Sequence, residues 1–418
     1  MTTKAQPAPS ALALDLQDER LQDRTGLRGQ YKAFLDRTRS GDLGVLPVIG
    51  GLILIWAVLQ ILNPIFLSPA NLVNLTMESS AVGIIALGIV AVLLVAQIDL
   101  SVGSVSGLAA AVVAVTSVNM GWPVWLVILA TIALGAVIGW LYGQIFNRFG
   151  VPSFVVTLAG LLGFLGLQLY TLGAKGSINL PFDSPLVYFA QLAFVPVWLS
   201  YVLAAAAAAS LFTTDYFHAR ARQHAGLSAM SLQNIALRAG LLLAALGVTV
   251  WYLNQGRGVG WMFVLFIVLT LVLNYMLKRT QWGRFVYAVG GNPEAARRAG
   301  INVRAIYTSV FITCSTLAAV GGLLGAARLA AANQGSGTGD VNLNAIAAAV
   351  IGGTSLFGGR GSAFAAILGI IVIQSISSGL TLLNLDSSFR FMVTGVVLLL
   401  AVTLDSVARR SRTSHGKA

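Results

Sequence analysis

Residues 80–104 read SAVGIIALGIVAVLLVAQIDLSVGS. The first part, 80–96, carries no ionisable side chain, and as a helix it would run about 25 Å at 1.5 Å per residue, most of the roughly 30 Å of a bilayer's hydrocarbon core. Then QIDLSVGS interrupts it with Gln97, Asp99, Ser101, Gly103 and Ser104 before apolar residues resume. A greasy run ending in a polar break, followed by more grease, reads as a membrane helix broken at depth. Backbone of that kind is tolerated inside a membrane only where protein or a watery cavity surrounds it.

The same texture extends along the chain. Of 418 residues, 57% are hydrophobic and 10% charged, against roughly 25% charged in soluble domains. The reading is an all-α integral membrane protein, a polytopic bundle of about 10–12 transmembrane helices with re-entrant or broken helices. Candidate spans are 44–62, 80–96, 122–146, 151–172, 194–212, 236–253, 261–277, 306–329 and 391–404, with weaker ones at 102–118, 345–357 and 363–383. The run 345–357 is short and leads into GGTSLFGGRGS, which predicts a half-helix and a re-entrant turn.

Basic residues fix the expected orientation. The formal net charge is +12, and it falls between and after the apolar runs, which points to the lipid bilayer and excludes nucleic acid as a partner. Threading the spans from a cytoplasmic start puts Arg148, Arg220 and Arg222, the 278–304 loop and Arg409, Arg410 and Arg412 on one side. Lys175, Arg257 and Arg390 fall on the other. Both termini are therefore expected in the cytoplasm. The expected layout is a cytoplasmic tail over 1–43, a transmembrane domain over 44–408 that includes a cytoplasmic loop 213–238 and the 278–304 loop, and a cytoplasmic tail over 409–418. The first tail mixes acidic and basic residues without an apolar core behind a basic start, so no cleavable signal peptide is expected. It reads either as an amphipathic helix on the membrane face or as a loosely ordered tail.

Chemistry-bearing residues are sparse. Cys314 is the lone cysteine, which excludes an internal disulfide, and His218, His224 and His415 do not share metal-ligand spacing. No phosphate-binding loop, nucleophile elbow or H-E-x-x-H occurs, so the chain is expected to be no enzyme and to need no cofactor or metal. Within the apolar zone the ionisable residues are Asp99 and Glu78. Asp99 carries three readings: a cap for the next half-helix, a substrate or proton contact, or a solvated loop residue. Glu78 is expected at the outer membrane boundary. Such scarcity suits a neutral, polar substrate moved by energy supplied elsewhere.

Glycine contributes packing signals. Gly135, Gly139 and Gly143 share one helix face, and Gly321 and Gly325 repeat the spacing, which lets neighbouring backbones approach. The stretches LLVAQIDLSVGSVSGLAAAVVAV (93–115) and AAVIGGTSLFGGRGSAFAAILGIIVI (348–373) both pass from apolar residues through a polar, glycine-bearing break. This echo suggests two related halves around a central path.

One loop stands apart. In GRFVYAVGGNPEAARRAGINV (283–303), Asn292 suits an N-cap, Pro293 the first helical position and Glu294 the positive end of the dipole. Arg297 and Arg298 suit the negative end, and Gly300 a left-handed stop. The helix is about seven residues, roughly 10 Å, too short to span anything. Ala295, Ala296 and Ala299 keep it slim enough to enter a groove on another protein. Gly290 and Gly291 allow a tight turn into it, and Gly283 with Arg284 marks where the preceding span leaves the membrane. An ordinary basic interfacial helix is the alternative.

This stretch resembles the cytoplasmic coupling loop of sugar-importing ATP-binding-cassette permeases of the ribose, arabinose and xylose type. QIDLSVGSVSGLAAAVVAV resembles that family's early-span signature, with Gln97 where glycine is usual. LNAIAAAVIGGTSLFGGRGS resembles its late glycine-rich signature, with Asn344 where an acidic residue is usual. The final SGLTLLNLDSSFRFMVTGVVLLLAVTLDSVARR and the polar insert 213–238 are most similar to the D-xylose members, and the resemblance covers about residues 71–410.

The resemblance implies a homodimeric pore, a pair of cytoplasmic ATPase subunits and a periplasmic or extracellular sugar-binding protein, in a bacterial inner membrane. It implies ATPase coupling through Gly283, Arg284, Gly290, Gly291, Asn292, Glu294, Ala295, Ala296 and Gly300, and a translocation path involving Gln97, Asp99, Ser101, Asn344 and Thr354. The expected function is import of a neutral monosaccharide, D-xylose above all. A proton-coupled secondary sugar transporter using Asp99 is the alternative. An intramembrane enzyme acting on lipid-linked sugar would need a boundary carboxylate or histidine pair that the sequence does not display.

Overall fold

The structure is a computed structural model and describes residues 46–386, 388–389, 391–397, 399–400 and 403. The expected tails 1–43 and 409–418 lie outside the described residues. The chain forms two compact units, one holding 196–254 and the other the remaining described residues.

The larger unit opens with α1 (Leu46–Leu62) and α2 (Pro69–Leu94). Ser68 caps α2 by accepting the Asn71 amide, and Pro69 takes the first helical position, where its missing N–H costs nothing. The helix therefore begins well before residue 80: Asn71, Asn74 and Glu78 dilute the hydropathy of its first half without ending it. Glu78 accordingly lies inside α2. After Leu94 the chain leaves helical geometry, with Ala96 at φ +56°, and re-enters it in α3 (Val102–Ala114), prolonged by a π-helical turn at Val115–Asn119. The break predicted at QIDLSVGS is thus present.

Next come α4 (Val124–Phe149) and α5 (Ser153–Leu172), separated by Gly150 in the left-handed region. A short strand β1 (Ser177–Asn179) and helix α6 (Pro185–Gln191) follow. The smaller unit is the helical hairpin of α7 (Val197–His224) and α8 (Leu232–Leu253). Most of the insert 213–238, read from sequence as a loop, is helical here: α7 is about 42 Å long at 1.5 Å per residue, so it outruns a ~30 Å hydrocarbon core while still winding. Ser231 caps α8, and Arg238 pairs with Asp215 at 2.9 Å.

Returning to the larger unit, α9 (Trp261–Arg279) leads into α10 (Gln281–Gly291), α11 (Pro293–Arg298) and α12 (Val303–Leu329). Strand β2 (Ala331–Asn333) pairs antiparallel with β1 in the register Ile178 to Ala332. Then α13 (Asp340–Ile351), about 18 Å long and so a half-span, gives way to a turn over 352–363 and to α14 (Phe364–Leu382). The re-entrant reading of 345–357 matches this shape.

The core is built on α2 and α12. Helix α4 lies along α12 with Gly135, Gly139 and Gly143 against the backbone of Ser315–Thr316, Phe311–Ile312 and Thr308, where a methyl group would collide. Gly321 similarly meets Ile85 and the Ala81 carbonyl, whereas Gly325 faces open space and plays no such part. Between β2 and α13 the chain dips between α3 and α5: Gly107 of α3 lies on the Ser336 carbonyl, and the Gln168 amide of α5 donates to the carbonyls of Asn333 at 3.0 Å and Ser336 at 2.9 Å. Among the described residues nine helices are long and apolar enough to cross a membrane. α1 and α13 are shorter, and the candidate span 391–404 falls partly outside the described residues.

Candidate functional site

Two breaks and one loop meet at a single end of the larger unit. At the first break, Asp99 is 1% exposed, and its Oδ1 accepts the Ser101 amide at 2.8 Å and the Ser101 hydroxyl at 2.7 Å. The carboxylate thus closes a turn two residues long, and Ser101 itself is the residue preceding α3. Asp99 does not cap the helix in the expected manner, since it binds no amide inside α3; it holds the approach to it. The Tyr142 hydroxyl donates to Ser101 Oγ at 2.7 Å, and the Ser153 and Thr157 hydroxyls accept the amides of Ile98 and Leu100. Asp99 Oδ2 has no hydrogen-bond partner. An orphaned buried oxygen is costly, so the surrounding bonds must hold it in place.

The second break carries Thr354, 2% exposed, its amide bonded to the Ala349 carbonyl at 3.0 Å and its hydroxyl unpartnered. Gly353, Gly358 and Gly359 all have positive φ, which lets the chain reverse tightly between α13 and α14. The two breaks touch where the Gly359 amide donates to the Leu94 carbonyl at 2.8 Å, and the first turn of α13 reaches the first break where the Asn342 side chain donates to the Leu100 carbonyl at 2.8 Å. Gln97 is half-buried at the first break, and Asn344 is half-buried on α13, apart from that bridge. Of the path residues named from sequence, Asp99 and Ser101 share one bonded cluster, and Thr354 lies across the junction. Asn342, Tyr142 and Gln168 were missed. An asparagine beside Asn344 was visible, but nothing local marks Tyr142 or Gln168.

The loop meets the same junction. Thr280 Oγ1 caps α10 by accepting the Gly283 amide, and Gly283 lies on the Leu277 backbone, so α10 folds back tightly on α9. Gly290 is buried inside α10, against the Leu94 carbonyl and the Gly359 amide. It serves close approach, not the tight turn expected of it; Gly291, beside it, is exposed. Trp282 donates to Ser309 Oγ, and the Tyr287 hydroxyl donates to the Gly361 carbonyl, both at 2.8 Å.

Helix α11 has the ends read from sequence. Asn292 Oδ1 accepts the Ala295 amide at 3.0 Å. Gly300 has φ +83°, with its amide on the Arg297 carbonyl and that of Ile301 on the Ala296 carbonyl, the paired bonds of a Schellman stop. Ala296 is its buried residue, while Glu294, Ala295, Arg297 and Arg298 are exposed, as is Arg284 on α10. Glu294 and Arg297 pair at 2.8 Å on the surface, an interaction worth under about 1 kcal/mol. The result is a small capped knob, exposed on all but one side, joined through α10 to the meeting point of two broken helices.

Nine apolar helices long enough to cross a membrane among the described residues, and two breaks that meet beside an exposed capped knob, suit a membrane transport subunit. The chain belongs to the family described as branched-chain amino acid transport system / permease component, whose model matches residues 71–402. It is 36% identical over 345 residues to the xylose transport system permease protein XylH of Escherichia coli (strain K12), covering 82% of this chain and 87% of that one. It is 34% identical over 341 residues to XylH of Haemophilus influenzae, covering 82% and 90%. It is 31% identical over 358 residues to the ribose import permease protein RbsC of Escherichia coli (strain K12), covering 85% and 91%. No solved structure matches it. The resemblance to ribose- and xylose-type permeases is thereby borne out, as is the reading of a transport subunit rather than an enzyme.

Proposed function

We propose that this chain is the membrane subunit of an ATP-binding-cassette importer that passes a neutral monosaccharide, D-xylose, across the bacterial inner membrane. The observation that carries the reading is the seating of the loop: α11 is exposed for a partner, and Gly290 sets α10 against the Leu94 carbonyl where both breaks join. A push on α11 by a closing ATPase is delivered to the breaks and not to a flexible loop. Interfaces and packed cores of this kind switch between arrangements rather than bending continuously.

The same reading sets the partners and the sides. The ATPase binds the exposed Arg284, Gly291, Asn292, Glu294, Ala295 and Gly300, the buried Gly283, Gly290 and Ala296 seat α10 and α11 behind that face, and a second copy of the chain completes the pore. An extracytoplasmic sugar-binding protein delivers substrate at the opposite end. The end carrying α11, with Arg148 and Arg304, faces the cytoplasm, as do both termini and the turn between α7 and α8. Gln97, Asp99, Ser101, Asn344 and Thr354 belong to the region that rearranges as the path opens. Xylose is favoured over ribose because the XylH proteins reach 36% identity and the RbsC protein 31%.

The test is uptake by proteoliposomes containing this chain, a cognate ATPase and a cognate binding protein. ATP-dependent accumulation of labelled xylose, outcompeted by excess xylose and far less by ribose, is the expected result. Accumulation of ribose in preference to xylose would overturn the substrate, and transport without ATPase would overturn the class.

A further inference from the structure

Glu78 occupies an unusual position. From Pro69 to Glu78 is about 13 Å of helix, and from Gln374 to the end of α14 at Leu382 about 12 Å, at 1.5 Å per residue. These are distances from the same end, because the Asn63 side chain donates to the Leu382 carbonyl at 3.0 Å and Ser378 bonds Asn71 at 3.0 Å. At that shared depth the Gln374 amide donates to Glu78 Oε2 at 2.6 Å. Glu78 is nonetheless exposed, on a helix whose neighbouring residues Met77, Ser79 and Ser80 are buried.

Asn71, Asn74 and Glu78 recur at helical spacing on one face of α2, and Gln374 and Ser378 do so on α14. At the rim, the Arg257 guanidinium donates to Asn74 Oδ1. The polar groups thus form a ladder leading inward from the end of α2. A carboxyl group is costly to leave against lipid tails. Polar residues that glue helices together are enclosed between them, as the half-buried Asn71 and Ser378 are, whereas Glu78 is open. Water or a polar substrate is what such a surface fits.

The chemistry of the pair narrows the substrate. A carboxylate accepts from two hydroxyls at once, and the Gln374 amide, anchored through its nitrogen, presents a carbonyl oxygen beside it. Neighbouring acceptors suit the adjacent hydroxyls of a neutral sugar. We infer that Glu78 and Gln374 form a hydroxyl-binding contact on the sugar path; the inference rests on the permease reading above and adds to it a contact outside both breaks.

The experiment uses the complete transporter in proteoliposomes, with wild-type uptake as the control for the permease reading itself. Cys314 is buried, so the wild type gives the background for a membrane-impermeant thiol reagent. Gln374→Cys is expected to react in the nucleotide-free or the ATP-bound state, and xylose is expected to slow that reaction about threefold or more, as substrate occupancy does. Glu78→Leu is expected to lower uptake about tenfold at unchanged membrane level and self-association, while Glu78→Gln keeps transport with a raised KM. An unreactive Gln374→Cys in both states, or normal uptake by Glu78→Leu, would overturn the contact while leaving the permease reading intact. Loss of self-association in Glu78→Leu would overturn it too, assigning the residue to an interface between copies. Absence of uptake by the wild type would take down the permease reading and the contact together.

Discussion

The amide of Gly359 donates to the carbonyl of Leu94 at 2.8 Å, tying the turn before α14 to the end of α2. The last carbonyls of any helix lack partners within it, and here a residue more than two hundred positions away supplies one. Gly290 of α10 lies on both partners of that bond. Two broken helices and the loop therefore share one point of contact, and most of the expected behaviour follows from it.

Gly290→Ala places a methyl group on the Leu94 carbonyl and the Gly359 amide, both of them backbone that no rotamer change can clear. Overpacking of this kind costs about 1–3 kcal/mol, so the variant should unfold at lower temperature in detergent and transport poorly. Gly291→Ala is the control: a methyl there meets nothing within 4 Å. Its melting temperature should match or slightly exceed the wild type, since alanine favours a helix by up to ~1 kcal/mol.

Glu294→Lys separates coupling from folding. The Glu294–Arg297 pair is exposed, so its loss should change stability by under about 1 kcal/mol. Membrane level and melting temperature should hold while sugar uptake and sugar-stimulated ATP hydrolysis fall by an order of magnitude or more, about 1.4 kcal/mol of lost coupling. Asn292→Ala should do the reverse in part, costing about 1 kcal/mol of helix capping, visible as faster hydrogen exchange at Ala295.

Asp99→Asn distinguishes a brace from a proton carrier. Asparagine keeps an oxygen for the Ser101 amide and hydroxyl, both now held by Asp99 Oδ1. Uptake by the asparagine variant should remain within about threefold of wild type, whereas Asp99→Ala orphans the Ser101 donors and should cost about 1–3 kcal/mol in stability. Abolished uptake in a well-folded Asp99→Asn variant, together with sensitivity to a protonophore, would favour the proton-coupled alternative.

Tyr287→Phe removes the donor to the Gly361 carbonyl and should cost about 0.5–1.5 kcal/mol. Burial holds the Tyr287 phenol above its ordinary value of 10.0, so folding favours the protonated form. Its contribution is complete below the unfolded-state value and is lost only as pH rises through the higher folded one. The difference in melting temperature between wild type and variant should stay constant from about pH 6 to pH 9.

Hydropathy and helix-end chemistry made much of this visible in the sequence. The caps at Asn292 and Gly300, the break at 97–101 and the half-helix before Thr354 all rest on local residues, and local residues determine them. What escaped was non-local. Gly290 looked like a turn glycine because its neighbour across the fold, Leu94, lies far off in sequence. The start of α2 at Pro69 escaped because the polar residues of its first half cluster on one face, which an average over all faces hides. The insert 213–238 looked like a loop because polarity marks departure from lipid, not from helical geometry.

The measurement that bears most directly on the central claim is sugar accumulation in proteoliposomes with the ATPase, the binding protein or ATP withheld one at a time. The account predicts concentrative xylose uptake when all are present, none when any is missing, and no effect of a protonophore. Concentrative uptake by this chain alone, collapsing with the proton gradient, would contradict it.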